Sequence, residues 1–515
     1  MKRITPIPAL VVGAASMLAL TACGGESTTP QNSGDAAEGP SGAVNFAAIF
    51  QPTTWDPALG DFMANGFHYS LVYDTILTQN AAGELLPGIA EEWNYDDAQT
   101  TLTLDLRDGQ AFTDGEPVDA AAIVANLEHY RDANGPGTAE LALVESIEAT
   151  GDDTVTVHFT APDPSFLEDL ATAVSFVVSP AAIEGGDLGT TPVGSGPYVL
   201  DQAQTSPGSK WAYAANPDTW HDLNYANVNV LIMDATAALN ALKGGQIEVA
   251  LLLDLQAADE AEKGGYARTL FSPSTVGIAF FDREGAITPE LADVRVRQAI
   301  NHAIDGEALV DAFLGGPKIG TPSRSLFAAT SDAADPGVDS AYPYDPEKAK
   351  DLLAEAGYAD GFTLTMPYVL NWGPGVPDAV KEQLAAVGIT VEYDQLAPEE
   401  VPAAILAGKY AASLQSFGLG GGSWAVMTQQ VPGNGAWNPL HVEDETAVGL
   451  MNDYQFAAEA ERPEIAKELN AYITEEAWSN VWAHGHPSIL SDPAKVTLPE
   501  HSVGLPPVLE WIPAS

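Results

Sequence analysis

The stretch that decides the fold is FTLTMPYV at residues 362–369, followed by DAVKEQLAAV at 378–387 and ITVEY at 389–393. The first and third segments predict strands, and the second predicts a helix that ends before Gly388. A strand, a helix and a strand in succession are typical of a body in which helices cover a partly parallel sheet. This part of the chain therefore predicts an α/β fold.

Neighbouring segments extend the same pattern. Residues 276–281 are almost continuously apolar, as expected of a strand in the middle of a covered sheet. Apolar residues at helical spacing predict one long helix over 294–314. Arg295 and Arg297 lie on this helix, where we expect solvent contact or local ion pairs. The residues 417–440 are rich in Gly and Pro, which predicts a loop.

Composition limits the classes of partner. The 515 residues include 71 acidic and 20 basic side chains, which gives a formal net charge of −51. Nucleic acids and anionic membrane surfaces are bound through basic patches, so we expect neither as a partner. An apolar content of 46% can build a large core, but the chain is too long for a single one. The sequence therefore predicts at least two lobes.

The first residues of the chain have the layout of an export signal. Lys2 and Arg3 precede an apolar run over 7–20, which is too short to span a bilayer as a stable helix. The run ends in Leu20-Thr21-Ala22-Cys23, the pattern of a bacterial lipobox, and Cys23 is the only cysteine of the chain. The alternative is an ordinary secretory signal with an incidental cysteine near its end.

The lipobox predicts how the protein is held in place. We expect residues 1–22 to be a lipoprotein signal peptide and Cys23 to carry the lipid. Residues 23–43 are rich in Gly, Ser, Thr, Pro and acid, which predicts a flexible tether. The expected location is the outer face of the cytoplasmic membrane, on the cell surface or the periplasmic side. With its cysteine lipidated, the chain cannot form a disulfide.

Five short signatures follow in order along the chain. They are LDLRDGQAFTDGEPVDA at 104–120, PVGSGPY at 192–198 with NPD at 216–218, ALKGGQIEV at 241–249, DVRVRQAINHAID at 293–305 and YDPEKAKDLLAEAGY at 344–358. Each alone is weak, because most of it consists of turn glycines, helix caps and helix faces. Together, behind a lipobox, they resemble the family 5 extracellular solute-binding proteins, the dipeptide, oligopeptide and nickel receptors of ATP-binding-cassette (ABC) importers.

This resemblance implies a two-lobed periplasmic-binding-protein-like fold with a hinge, in which the first lobe carries an extra subdomain. The implied ranges are a first lobe of residues 44–76, 190–275 and 484–515, a subdomain of 77–189 and a second lobe of 276–483. Closure of the lobes over a bound solute is the implied mechanism. The implied partners are a peptide or other small solute and the importer's permease subunits. We expect a monomer with no cofactor, no bound metal and no catalytic residues.

Four tryptophans are candidates for the walls of a solute cleft. Such a cleft benefits from aromatic walls, which tolerate different side chains of a bound polymer. The candidates are Trp55, Trp372, Trp424 and Trp437. Trp372 and Trp424 lie beside glycines, which predicts that their indoles are not wholly buried. For each tryptophan, ordinary core or surface packing is the alternative.

One segment departs from the pattern of the peptide receptors that this chain resembles. Those receptors usually carry an aspartate for the peptide amino group in a Trp-x-x-Asp-type segment of the second lobe. The comparable residues here, SFGLGGGSWA at 416–425, contain no acid. A longer or blocked peptide, or an uncharged solute such as an oligosaccharide, fits this segment as well. An anionic ligand would need one of three basic residues: Arg107, Arg283 or Arg324.

Other classes of protein leave weaker traces in the sequence. A secreted hydrolase is a remote alternative, since the chain has no Gly-x-Ser-x-Gly motif and its only cysteine is assigned to lipidation. His484-Gly485-His486 has the spacing of a metal pair but lacks a clear third ligand, so we predict no metal site there. A receptor for chelated nickel, and an adhesin or signalling receptor of the same fold, stay open as alternatives.

Overall fold

The computed structural model describes residues 40–515 with gaps, so the lipobox, the signal and nearly all of the tether lie outside the described residues. The residues that it leaves out of this range are 61, 81–83, 134, 164, 187, 272–273, 314–315, 317–319, 369–374, 397–399, 419–421, 436, 459, 486, 500–504 and 515. The first described elements are β1 (Ala43–Ala48) and α1 (Phe62–Val72).

The chain then builds a small antiparallel body, which we call the subdomain. Its elements are β2 (Leu77–Gln79), β3 (Leu85–Pro87), β4 (Ala90–Tyr95), β5 (Thr101–Leu106), α2 (Ala120–Asp132), β6 (Val144–Ala149), β7 (Thr154–Phe159), α3 (Phe166–Asp169) and α4 (Pro180–Gly185). Strands β4, β5, β7 and β6 pair in that order. β5 and β7 bury alternate side chains, so one face of the sheet covers a core and the other meets water.

The following elements return to β1 and belong to what we call the first lobe. They are β8 (Tyr198–Leu200), β9 (Lys210–Ala215), β10 (Asn227–Ile232), α5 (Ala235–Lys243), β11 (Val249–Leu251), α6 (Leu255–Lys263) and β12 (Ala267–Leu270). Asp234 and Asp254 cap α5 and α6, because each carboxylate accepts a backbone hydrogen bond of 2.8 Å from the third residue beyond it.

The third body, which we call the second lobe, is mostly helical around two small sheets. Its elements are β13 (Ser274–Phe280), α7 (Val294–Ala303), α8 (Gly306–Phe313), β14 (Gly320–Pro322), α9 (Pro346–Glu355), β15 (Phe362–Tyr368), α10 (Gly375–Ala385), β16 (Ile389–Gln395), α11 (Glu400–Leu406), β17 (Ala412–Gly418), α12 (Gly422–Gln430), α13 (Glu445–Phe456), α14 (Arg462–Glu475) and β18 (Ser479–Gly485). The chain closes with β19 (Ser488–Ser491), β20 (Val496–Thr497) and β21 (Ile512–Pro513).

A seven-stranded sheet forms the centre of the first lobe, in the order β12-β19-β11-β1-β10-β9-β8. β1 pairs in parallel with both β10 and β11. Phe46 on one face of β1 packs edge-on against Trp511, with ring centroids 5.5 Å apart, whereas Ala47 on the other face enters a core under α5 and α6. Both faces of the sheet are covered, which explains the small and apolar residues of β1.

The backbone connects the first and second lobes through two neighbouring segments. One lies between β12 and β13, and the other lies between β18 and β19. β12 pairs antiparallel with β19, and β13 with β18, so the strands that flank the two segments lie side by side. Phe271 N donates a hydrogen bond of 3.2 Å to Pro487 O between them. Two short adjacent connections have the geometry of a hinge, since rotation of a few residues would move whole lobes.

The sequence predictions for the centre of the second lobe are confirmed. β13 lies between β17 and β18, and six of its seven residues are buried. β15 and β16 pair in parallel from Phe362↔Ile389 to Tyr368↔Gln395, with α10 between them in the chain. The predicted strand–helix–strand order is therefore present.

Two predicted segments differ from the structure. The helix predicted over 294–314 divides into α7 and α8, because Ile304 is extended and the Asp305 carboxylate accepts the amide hydrogen of Ala308 at 3.0 Å. That bond caps a new helix. The loop predicted over 417–440 contains the end of β17 and all of α12. The loop prediction depended on the Gly and Pro residues that flank 423–430. The residues 423–430 themselves contain neither, which allows them to form a helix.

The two arginines of α7 have different surroundings. Arg295 makes the expected local ion pair, with 2.6 Å between its Nη2 and Oδ2 of Asp293. Arg297 instead is 3% exposed and donates hydrogen bonds of 2.7 Å to the carbonyl oxygens of Leu291 and Glu476. Its guanidinium therefore ties the end of α14 to α7, a role that the helical spacing did not indicate.

Gly194 and Gly196 allow one loop to touch the end of α1. A methyl group on Gly194 would lie 2.2 Å from Val72 O, and one on Gly196 would lie 2.6 Å from the carbonyl carbon of Val72. Neither glycine has a positive φ. Close approach of two backbones, rather than a turn conformation, therefore requires glycine at both positions.

We predict that Gly196→Ala lowers the free energy of unfolding by about 1–3 kcal/mol, because the added methyl group would overlap backbone atoms. Gly189→Ala is the matched control, since a methyl group there would meet no atom within 4 Å. Urea denaturation followed by circular dichroism measures both. Equal stability of the two variants would contradict the prediction.

Candidate functional site

The subdomain and the second lobe face each other through polar side chains beside Gly422, the last residue of the glycine-rich run in the sequence. A methyl group on Gly422, the first residue of α12, would lie 3.7 Å from Oε2 of Glu168. The side chain of Gln455 lies near enough to the Asp163 carboxylate to favour its ionised form. Arg462 lies near enough to Glu168 to favour its ionised form. These residues define the region in which the subdomain and the second lobe approach each other.

The second-lobe side of this region is an ordered cluster. The Asp332 carboxylate accepts hydrogen bonds from Ser423 Oγ and, at 2.8 Å, from Tyr454 OH. The ring of Trp424 stacks on that of Tyr454, with centroids 6.1 Å apart and planes 10° apart. The Arg462 guanidinium lies 5.4 Å from the same tyrosine ring, and its Nε is buried with no hydrogen-bond partner among the described residues.

The subdomain side of the region is acidic and poorly solvated. Burial raises the pKa of Glu168 to about 7, against the opposing attraction of Arg462. Burial also raises the pKa of Asp163, Asp169 and Glu140, and the last two repel each other's charge. Carboxyl groups in such surroundings keep their protons at higher pH than exposed carboxyl groups do.

Trp55, one of the four candidates, lies in the core of the first lobe. Its side chain is 2% exposed, and its ring makes an edge contact with Trp211 at a centroid distance of 5.7 Å. The Trp55 carbonyl accepts a hydrogen bond of 2.6 Å from Tyr73 OH. Trp372 lies outside the described residues, as does Cys23.

Trp424 and Trp437 belong to the second lobe but to different cores. Trp424 is 6% exposed, so the expectation that flanking glycines keep its indole out of a core is wrong: α12 carries the ring inward onto Tyr454. Trp437 is half-buried, with its ring edge-on to Phe417 at 5.0 Å. The structure therefore does not bring these two rings and Trp55 into one aromatic wall. A solute contact for each remains a prediction.

The three arginines considered for an anionic ligand are engaged within the protein. Arg107 and Arg283 each lie 4.0 Å above an indole ring, that of Trp220 and that of Trp478. Burial lowers the pKa of Arg283 to about 10. Arg324 donates hydrogen bonds to two carbonyl oxygens, at 3.0 and 2.9 Å. Cation–π contacts and carbonyl acceptors explain these positions without a ligand.

One histidine of the pair, His484, has a structural role. His484 Nε2 hydrogen-bonds the carbonyl oxygen of Ser325 at 2.9 Å, and burial lowers the pKa of its imidazole. His486 lies outside the described residues. Within the described ranges, no group of three or more His, Cys, Asp or Glu side chains could hold a metal ion. None of the described helices combines the length and the apolar content needed to cross a membrane.

Glu168 and Arg462 were not singled out by the sequence. Glu168 lies in a four-residue helix, and Arg462 is the first residue of α14, so neither has a spacing that indicates a site. They approach each other only when the subdomain and the second lobe meet. The one local signal was the glycine-rich segment that ends at Gly422, the residue that lies beside the Glu168 carboxylate.

Comparison with known families identifies the family of this chain. Residues 84–436, more than half of the chain, match the model of the bacterial extracellular solute-binding proteins, family 5, middle region. The chain belongs to this family, whose members bind solutes outside the cytoplasm.

Two curated relatives are similar to this chain over more than half of its length. The glutathione-binding protein GsiB of Escherichia coli K12 is 31% identical over 326 residues, which cover 59% of this chain and 60% of GsiB. The match thus spans only about three fifths of that relative. The Sinorhizobium fredii protein named "Probable peptide ABC transporter periplasmic-binding protein y4tO" is 26% identical over 383 residues, 68% of this chain and 70% of the relative.

A solved structure supports the fold independently. DppA from Helicobacter pylori, solved with the peptide STSA, superposes with a TM-score of 0.79 at 19% identity and covers 92% of this chain and 98% of DppA. At this identity the similarity shows the fold alone. The predicted two-lobed periplasmic-binding-protein fold is confirmed.

We predict that Trp424→Ala lowers the free energy of unfolding by about 3–5 kcal/mol, because it removes a buried indole and leaves a cavity beside Tyr454. Trp437→Ala should cost less, since that side chain is only half-buried. Guanidinium denaturation measures both. A cost below about 1 kcal/mol for Trp424→Ala would show that the ring is not a core residue.

Proposed function

We propose that this chain is an extracytoplasmic solute-binding lipoprotein that captures a small peptide and delivers it to an ABC importer. The observation that carries the proposal is the family match over residues 84–436. The peptide class is supported by the two relatives, one named for glutathione and one for peptide transport. An oligosaccharide or chelated nickel is the alternative solute.

The mechanism that we propose is closure about the paired connections. A solute that contacts both lobes stabilises the closed form and shifts the population toward it. The segments around Phe271 and Pro487 absorb the rotation, while each lobe keeps its own core. We retain 44–76, 190–275 and 484–515 as the first lobe, with two refinements. Residues 274–275 and 484–485 belong to β13 and β18 of the second lobe. Phe176 and Val178, from the range proposed for the subdomain, pack in the first-lobe core.

The protein performs no chemistry on its solute in this proposal. Support comes from the family, whose curated relatives here are named as binding proteins. A secreted hydrolase is the remote alternative. The lipid on Cys23 and the tether keep the receptor near its importer at a high effective concentration.

The solute prediction is tested by isothermal titration calorimetry of the Cys23→Ser protein purified from solution. We expect one-to-one binding of glutathione or of a dipeptide or tetrapeptide, with no binding of maltotetraose or nickel–EDTA. Binding of only the sugar or the chelate would overturn the peptide assignment. Product formation from any of these solutes at enzymatic rates, followed by mass spectrometry, would overturn the binding-only function.

The anchor prediction is tested by cell fractionation. Cys23→Ser should leave the membrane fraction, because no sulfur remains to receive the lipid. Ser27→Ala, in the tether, should stay with the membrane and serves as the matched control. A Cys23→Ser protein that sediments with the membrane would contradict the lipobox interpretation.

A further inference from the structure

A groove in the second lobe lies between α7, α9, α14 and the segment 335–342. Its volume is about 530 Å³, which is in the range of small-molecule sites in proteins. Every residue that lines the groove belongs to the second lobe. The groove therefore needs no contribution from the first lobe or the subdomain, and it is separate from a cleft between the lobes.

One wall of the groove offers a buried imidazole. His302 of α7 is 2% exposed, and its Nδ1 donates a hydrogen bond of 2.8 Å to Pro343 O. Because a carbonyl oxygen only accepts, this bond places a proton on Nδ1. Burial and the nearby charge of Lys348 lower the pKa of His302, so the imidazole is neutral at pH 7. Nε2, which has no hydrogen-bond partner among the described residues, is then an acceptor that remains for a ligand in the groove.

The groove also carries charges of both signs. Asp335 and Glu475 supply two carboxylates, and Lys348 supplies one ammonium group. Lys350 pairs with Glu347 at 2.8 Å, whereas Lys348 forms no ion pair in the described part of the chain. An anion alone would meet the two carboxylates, and a cation alone would meet Lys348. The charges together match a ligand that carries both signs.

The rest of the lining is apolar and held in place by the surrounding elements. Three aliphatic side chains line the groove: Val338, Ala341 and Leu352. The Tyr342 ring lies edge-on to that of His302, with centroids 5.3 Å apart, and its hydroxyl group donates a hydrogen bond of 2.7 Å to Thr474 O. These contacts fasten the segment 335–342 to both α7 and α14. The groove is therefore formed before any ligand arrives.

We propose that this groove is a second binding site of the protein, for a small zwitterion with an aliphatic side chain, such as a free amino acid. The ammonium group of the ligand donates to His302 Nε2 and faces Asp335 and Glu475. Its carboxylate faces Lys348, and its side chain covers the apolar lining around Val338. The site goes beyond the proposed function, because it acts whichever solute the receptor delivers to its importer.

Nuclear magnetic resonance of the histidine side chains tests the site directly. The Cys23→Ser protein is prepared with nitrogen-labelled histidine and titrated with L-leucine at neutral pH. We expect the Nε2 signal of His302 to move, because accepting a hydrogen bond changes the shielding of a nitrogen lone pair. Isocaproate, which is leucine without its ammonium group, and isoamylamine, which is leucine without its carboxylate, should each bind about tenfold more weakly.

Two variants separate the roles of the wall residues. His302→Asn keeps an N–H donor for Pro343 O but removes the Nε2 acceptor, so the assigned signal should vanish and leucine should bind about tenfold more weakly. Lys348→Gln should weaken leucine binding about tenfold as well, because the carboxylate loses its cation. Lys350→Gln, whose parent side chain lies outside the groove, is the matched control and should bind leucine like the parent.

The outcomes that would overturn the proposal are distinct. A His302 signal that stays in place while leucine binds elsewhere would remove the site. Equal affinity for leucine and isocaproate, or for leucine and isoamylamine, would remove the zwitterion as its ligand. Should His302→Asn not fold, unchanged leucine affinity in Lys348→Gln would still contradict the assignment, since that side chain is exposed. All of these readouts lie within the second lobe, so their failure is separate from failure of the calorimetry with peptides.

Discussion

The paired connections between the lobes are the constraint on which the rest of the structure depends. β12 and β19 pair at the edge of the first-lobe sheet, and β13 and β18 pair in the sheet of the second lobe. The Phe271–Pro487 hydrogen bond lies between these two pairs of strands. Each lobe must therefore complete its own core without help from the other. The seven-stranded sheet does so with helices on both faces, and the second lobe does so with a parallel pair and layers of helices. Rotation of one lobe against the other then requires less free energy than rearrangement inside either lobe.

Much of the fold was predictable because its signals are local. The apolar run at 276–281 and the succession at 362–393 carry their own period and their own stop residues. The break at Asp305 was missed because an aspartate inside a helical pattern also suits a solvated face, and only its bond to Ala308 N shows the cap. The helix containing Trp424 was missed because composition was averaged over a window longer than the helix itself.

The candidate site was less predictable, for a physical reason. The sequence shows which side chains are charged but not which ones lose their water. Arg297 and Arg324 are buried and donate hydrogen bonds to backbone carbonyl oxygens. Glu168, one acid among 71, is the carboxyl group whose pKa burial raises to about 7. Desolvation depends on which bodies meet, and that information is distributed over the whole chain. In a strongly acidic sequence with few cations, the acids that lose their water on folding therefore cannot be told from the others.

The packing of Trp511 against Phe46 has a consequence for how the protein is made. The two rings are separated by most of the chain, and Trp511 is fully buried in the first-lobe core, where its indole Nε1 also donates to Pro506 O at 2.9 Å. During synthesis and export, the N-terminal strand β1 must wait for residues near 511 before its lobe can be completed, whereas the subdomain and the second lobe can fold from consecutive residues. The part of the receptor nearest its predicted anchor is thus the last to finish folding.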